Sequence, residues 1–218
     1  MTNASAPGIS RSLFAFAVFY GGMVCIAGVL GNKQVALGNL AVEAGIFAFL
    51  LLVVTSSAVA ELHGRDTANR LVVLGFVPLL ASLALTLLVL ALPASDEMQA
   101  ERLTAFTSMM TATPRIWLGG IVAYGVSQLL NVTIFSRLKR EGGRMLWLRA
   151  GVASVLSQIV DTLLFITIAF YGEFPIRDLL MGQMLAKVVL SAVLVPPFIY
   201  LFVALGRRLD SPTPDSRS

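Results

Sequence analysis

Six runs of about 20 consecutive apolar residues divide this chain, and each is long enough for a helix to cross a hydrocarbon layer of roughly 30 Å. They lie at Ser12–Leu30, Leu40–Leu62, Leu71–Leu92, Ile116–Leu138, Leu148–Tyr171 and Gly182–Leu205. Of the 218 residues, 57% are apolar or aromatic and 13% charged, against about 25% charged in ordinary soluble domains. The mean hydropathy is +0.84. These values exclude a soluble enzyme and predict an all-α integral membrane protein, six transmembrane helices in one compact bundle. The first run ends in no small-residue cleavage site and five more follow it, so it is read as a retained span. Cys25 is the single cysteine, which rules out an intrachain disulfide framework and a multi-cysteine metal site.

The basic residues between the runs fall mostly on alternate sides. One side carries 11 of them, Arg11, Arg65, Arg70, Arg137, Lys139, Arg140, Arg144, Arg149, Arg207, Arg208 and Arg217. The other carries four, Lys33, Arg102, Arg115 and Arg177. Lys and Arg are retained on the cytoplasmic side of short-looped membrane proteins, so this asymmetry predicts that both termini are cytoplasmic. The basic stretch from Arg137 to Arg149 is read as part of that retention signal rather than as a lipid site. The link from Pro93 to Pro114 has apolar patches suited to a short surface helix. Residues 1–209 form the predicted six-helix transmembrane domain, and the Pro- and Ser-rich residues 210–218 a disordered tail.

Ionisable residues inside a span cost several kcal/mol and usually face a partner or a polar cavity. Four qualify: Glu43, Glu61, Asp161 and Lys187. Glu43 is read as reaching the outer interface, and Glu61 and His63 sit at a charged turn. Asp161 is about 20 Å along a helix from Leu148, deep in hydrocarbon, and needs a partner or a proton. Lys187 suits an acidic group or a bound ligand. A second signal is an internal likeness at an offset of 30 residues, where IVAYGVSQLLNVTIF (121–135) aligns with GVASVLSQIVDTLLF (151–165) and five of fifteen positions are identical. Gln128, Asn131 and Phe135 thereby match Gln158, Asp161 and Phe165, each trio on one helical face. The two spans run in opposite directions, which places both glutamines near the midplane. Such inverted repeats can surround a shared solute site, or their amides can simply glue two helices together. Amide and carboxylate groups around a cavity suit a planar, nitrogen-rich solute, with Phe135, Phe165 and Trp147 available to cover its flat faces.

The sequence contains no HExxH pair, no GxSxG elbow and no phosphate-cradling glycine loop, so no enzyme, cofactor or metal site is expected. The few intramembrane polar groups suit a pocket rather than a continuous pore, which favours secondary transport.

With GGIVAYGVSQLLNVTIFSRLKREGG and VASVLSQIVDTLLFITIAFYG in view, together with AELHGRDTANR (60–70), the chain resembles the queuosine precursor transporter family, also called the vitamin uptake transporter family. The resemblance implies a six-helix bundle similar to the substrate-binding membrane components of vitamin uptake systems. It also implies import of 7-cyano-7-deazaguanine or 7-aminomethyl-7-deazaguanine across a bacterial inner membrane. The positions carried over are Glu61, Arg115, Gln128, Asn131, Phe135, Trp147, Gln158, Asp161, Phe165 and Lys187. Two departures stand out: Asn131 and Ser57 occupy positions where relatives are expected to be acidic. The expected partners are a deazaguanine base and the lipid bilayer. A homodimer and a separate energising partner are left open, and no nucleic acid is bound directly. The alternatives are a transporter of another planar vitamin or nucleobase, or a membrane scaffold whose amides bind a partner's span.

Overall fold

A computed structural model describes residues 10–37, 40–111, 114–139, 145–173 and 175–211. The elements in order are α1 (Arg11–Leu30), β1 (Gln34–Leu37), β2 (Leu40–Glu43), α2 (Gly45–His63), α3 (Arg65–Leu74), α4 (Phe76–Ala91), α5 (Ala100–Met110), α6 (Pro114–Arg137), α7 (Leu146–Phe170) and α8 (Arg177–Asp210). Among the described residues, six helical stretches are long and apolar enough to cross a membrane, with α3 and α4 together making the third. The chain is therefore an all-α, multi-pass membrane bundle. One end collects the described chain ends with the α2–α3 turn and the end of α6. The other carries the β-hairpin, α5 and the end of α7.

Three boundaries differ from the sequence expectation. Residues Leu40–Glu43 pair antiparallel with Gln34–Leu37 instead of opening the second span. The helix starts only at Gly45, where a Cβ would lie 2.7 Å from the Ala27 carbonyl of α1, so a glycine permits this close approach. The third span breaks at Gly75, because Pro78 has no N–H with which to continue the ladder. A side chain at Gly75 would also run into Tyr124 Oη and the Tyr20 ring. The last span is longer than its apolar run, beginning at Arg177 and reaching Asp210 through Pro196 and Pro197. Residues 212–218 of the expected tail lie outside the described residues, whereas Asp210 belongs to α8. The surface helix expected between Pro93 and Pro114 is α5, which buries no residue.

α2 is the centre of the bundle, packed against α1, α3, α6, α7 and α8. Its most apolar window is 67% buried, against 11% for the α3–α4 span, although the latter is the more apolar. α1 presents Phe16, Tyr20 and Val24 to the interior at intervals of four, and Phe16 stacks on Phe202 of α8 with centroids 5.9 Å apart. α6 and α7 form the most extensive helix pair.

Candidate functional site

The site is built from α7 and α8, whose facing positions put Asp161 and Lys187 within reach of each other. Lys187 Nζ lies 3.3 Å from Asp161 Oδ2, and Ser127 of α6 donates to Asp161 Oδ1 at 3.3 Å. Both charged residues are nine-tenths or more buried, Asp161 at 7% and Lys187 at 5% exposure. Taking two charges out of water costs several kcal/mol per ion, a cost that mutual attraction only partly offsets. Such a pair is therefore a weak source of stability and a strong pointer to function.

The pair forms the inner wall of a cavity of about 190 Å³ that also meets Glu43, Trp117, Tyr124 and Phe165. Val24, Gly28, Glu43, Trp117 and Phe165 line this cavity and also a wider groove of about 390 Å³ bounded by Asn32, Thr111 and Phe170. The cavity thus communicates with the hairpin end. Four residues before Lys187 on α8, and so on the same face, Gln183 donates through Nε2 to Glu43 Oε1 at 3.2 Å. Glu43, Gln183, Lys187, Asp161 and Ser127 form a polar line from the hairpin to the bundle centre.

A second polar layer lies against α2. Ser56 Oγ donates to Gln128 Oε1 at 3.3 Å, and Asn131 Nδ2 donates to Ser57 Oγ at 3.1 Å and Ser56 Oγ at 3.3 Å. Gln128 Nε2, Asn131 Oδ1 and both polar atoms of Gln158 are buried without a hydrogen-bond partner among the described residues. Each unpaired buried polar group costs about 1–3 kcal/mol, so this layer holds unused donors and acceptors beside the charged pair.

Of the ten positions expected from the sequence, Asp161, Phe165 and Lys187 line the cavity. Gln128, Asn131 and Gln158 are fully buried in the bundle interior but are not among the lining residues. The other four lie elsewhere. Glu61 sits at the end carrying the chain termini, 3.1 Å from Arg149 and 3.4 Å from Lys139. Phe135 is buried there under the Arg149 guanidinium, which stands 4.3 Å from its ring centroid. Trp147, in the first turn of α7, is 47% exposed. Arg115 ties the start of α6 to the end of α7, donating to Ile168 and Tyr171 carbonyls and pairing with Glu173 at 3.2 Å.

Sequence reasoning missed Gln183, Trp117 and Tyr124, and it read Glu43 as interfacial. A usable signal existed for Gln183: with Lys187 and Ser191 it repeats every four residues along α8, a polar stripe on an apolar helix. Trp117 and Tyr124 carry no such mark.

A multi-pass bundle with a buried ion pair facing a small cavity open at one end has the architecture of a membrane carrier for a small solute. The chain belongs to the family described as putative vitamin uptake transporter, whose model matches residues 43–202. That family is one of transporters, not enzymes. The chain is 32% identical over 146 residues to a protein of Bacillus subtilis strain 168 described as a probable queuosine precursor transporter, covering 66% of this chain and 62% of that protein. It is 23% identical over 161 residues to the queuosine precursor transporter of Escherichia coli strain K12, covering 74% and 70% respectively. The aligned region thus spans less than two thirds of the Bacillus protein. No solved structure matches the chain.

Proposed function

We propose that this chain imports queuosine precursors, 7-cyano-7-deazaguanine or 7-aminomethyl-7-deazaguanine, through a site centred on Asp161 and Lys187. The observation that carries the reading is the buried Asp161–Lys187 pair on the wall of a cavity that leads to the hairpin end. A guanine-like edge offers paired N–H donors that a carboxylate accepts, and its carbonyl accepts from an ammonium or amide. Phe165 and Trp117 supply ring faces for the flat heterocycle. At about 190 Å³ the cavity is smaller than the ~300–1,000 Å³ usual for drug-sized ligands, which suits a free base better than a nucleotide.

The excess of Lys and Arg at the end carrying the termini orients that end to the cytoplasm, and the hairpin end then faces outward. In this orientation the cavity opens outward, which supports reading it as the outward-facing state of an alternating carrier, whose cycle closes the cavity above the solute while opening the opposite end. Gln128, Asn131 and Gln158 stand ready as inner contacts once the solute passes Asp161. The membrane is the bacterial inner membrane.

The test is uptake of labelled cyano- and aminomethyl-deazaguanine by cells unable to make either, with and without a proton gradient. Asp161→Asn combined with Lys187→Met, which removes both charges and strands neither, should reduce uptake to the level of cells without the transporter while membrane abundance is unchanged. Undiminished uptake by that variant would overturn the assigned role. Collapse of uptake on dissipating the gradient would mark proton coupling.

A further inference from the structure

The end that carries the chain termini holds a second pocket, of about 320 Å³, between the α2–α3 turn, the end of α6 and the start of α7. Its walls include Gly64, Arg65, Ser136, Arg137, Lys139 and Arg149. Four of these six residues are cationic. Among the described residues, the carboxylate paired with two of them is Glu61, whose Oε2 is shared by Arg149 at 3.1 Å and Lys139 at 3.4 Å. One carboxylate against four cations leaves, among the described residues, a formal surplus of three positive charges around a concave space.

Arg149 is 5% exposed, and its guanidinium is fixed by the Phe135 carbonyl and the Phe135 ring. It forms a rigid floor rather than a solvated side chain. Arg65 is steadied by Thr133 Oγ1 at 3.3 Å. Ser136 adds a buried hydroxyl with no hydrogen-bond partner among the described residues. A retention signal requires positive charge near the membrane surface, but not a pocket, a buried guanidinium or an unused hydroxyl. Planar guanidinium forks, an ammonium and a hydroxyl converging on one space match the oxygens of a phosphoryl group.

The geometry points to this pocket as a binding site for a phosphoryl anion. The pocket lies at a helix end of a membrane bundle, where basic pockets meet the headgroups of anionic phospholipids. Two sources share this chemistry, a phosphodiester headgroup and free phosphate. The site is separate from the deazaguanine cavity and shares no lining residue with it, so it stands whether or not that substrate is correct.

The test uses the purified full-length chain in neutral detergent, measuring its unfolding temperature and binding by titration. The probes are dioctanoyl phosphatidylglycerol, dioctanoyl phosphatidylcholine and inorganic phosphate at equal concentrations. Phosphatidylglycerol should raise the unfolding temperature and phosphatidylcholine should not. A rise with phosphatidylglycerol alone assigns the site to the lipid headgroup, and a rise with inorganic phosphate as well assigns it to phosphoryl anions in general. The exposed pair Arg137→Gln and Lys139→Gln should weaken phosphatidylglycerol binding about tenfold or more. Arg207→Gln with Arg208→Gln, at the same end of the bundle but outside the pocket, should leave it unchanged. Ser136→Ala should weaken it by a smaller factor, which a general effect of surface charge would not produce. No rise with either anion, an equal rise with phosphatidylcholine, or equal weakening in the Arg207 and Arg208 variant would overturn the site.

Discussion

The two halves of the internal repeat carry the same stripe and finish it in opposite ways. On α6 the sequence Gln128, Asn131, Phe135 runs toward the end with the termini, and on α7 Gln158, Asp161, Phe165 runs toward the hairpin. Phe135 is fully buried beneath Arg149, whereas Phe165 lines an open cavity. Asn131 is bonded to two serines of α2, whereas Asp161 faces Lys187 and the cavity. The crossing is reciprocal as well, since Arg115 near the start of α6 donates to the Ile168 carbonyl of α7, and Arg149 near the start of α7 donates to the Phe135 carbonyl of α6. One pattern, built twice in opposite directions, thus gives an end closed over Phe135 and an end open to the cavity at Phe165.

The closed end has a further fastening. Ser12 at the start of α1 donates its N–H to Asp210 Oδ1 at 2.9 Å and its hydroxyl to Asp210 Oδ2 at 2.6 Å, and its Oγ also lies 2.7 Å from His63 Nε2. The first, second and last spans meet at this one point. No equivalent fastening joins them at the hairpin end among the described residues, where Glu43 and Gln183 make the link.

The largest expected effect comes from the open end. Lys187→Met leaves Asp161 without its counter-charge and should lower stability by about 3–5 kcal/mol, read as a fall in unfolding temperature. Combining it with Asp161→Asn should recover most of that loss without restoring uptake. Recovery of uptake in the double variant would show that the pair is structural only. Next comes the closed end, where Glu61→Gln strands a buried guanidinium and should cost about 2–3 kcal/mol. Hydrogen exchange should then rise at the α6–α7 junction while binding at the cavity changes little. Equal exchange at both ends would dissolve the contrast between them. The smallest effect is Ser12→Ala, which removes the hydroxyl shared by Asp210 and His63 and should cost about 1 kcal/mol, read by thermal unfolding.

Much of this was legible in the sequence because lipid imposes length and composition. Six apolar runs became six spans, and the charges that no lipid-facing position tolerates, Asp161 and Lys187, face each other. What lipid does not impose is which face of a helix turns inward, since a leucine in contact with lipid looks like a leucine in the core. α2 and the α3–α4 span have mean hydropathies of 2.1 and 2.6, and their buried shares differ sixfold. For the same reason Trp117 and Tyr124 gave no sign of lining a cavity. The second apolar run begins at Leu40, which puts Glu43 near the outer end of a span. The β-hairpin instead turns that carboxylate inward to Gln183. Arg149 was one basic residue among many near a helix end, and its burial depends on the Phe135 carbonyl, a contact that spacing alone does not reveal.

The central claim is that the cavity ending at Asp161 and Lys187 holds the transported base. Equilibrium binding of labelled aminomethyl- and cyano-deazaguanine to the purified chain tests it, with wild type set beside the charge-free Asp161→Asn, Lys187→Met pair. Saturable binding to wild type and its loss in the folded double variant are expected. Undiminished affinity in that variant would contradict the claim.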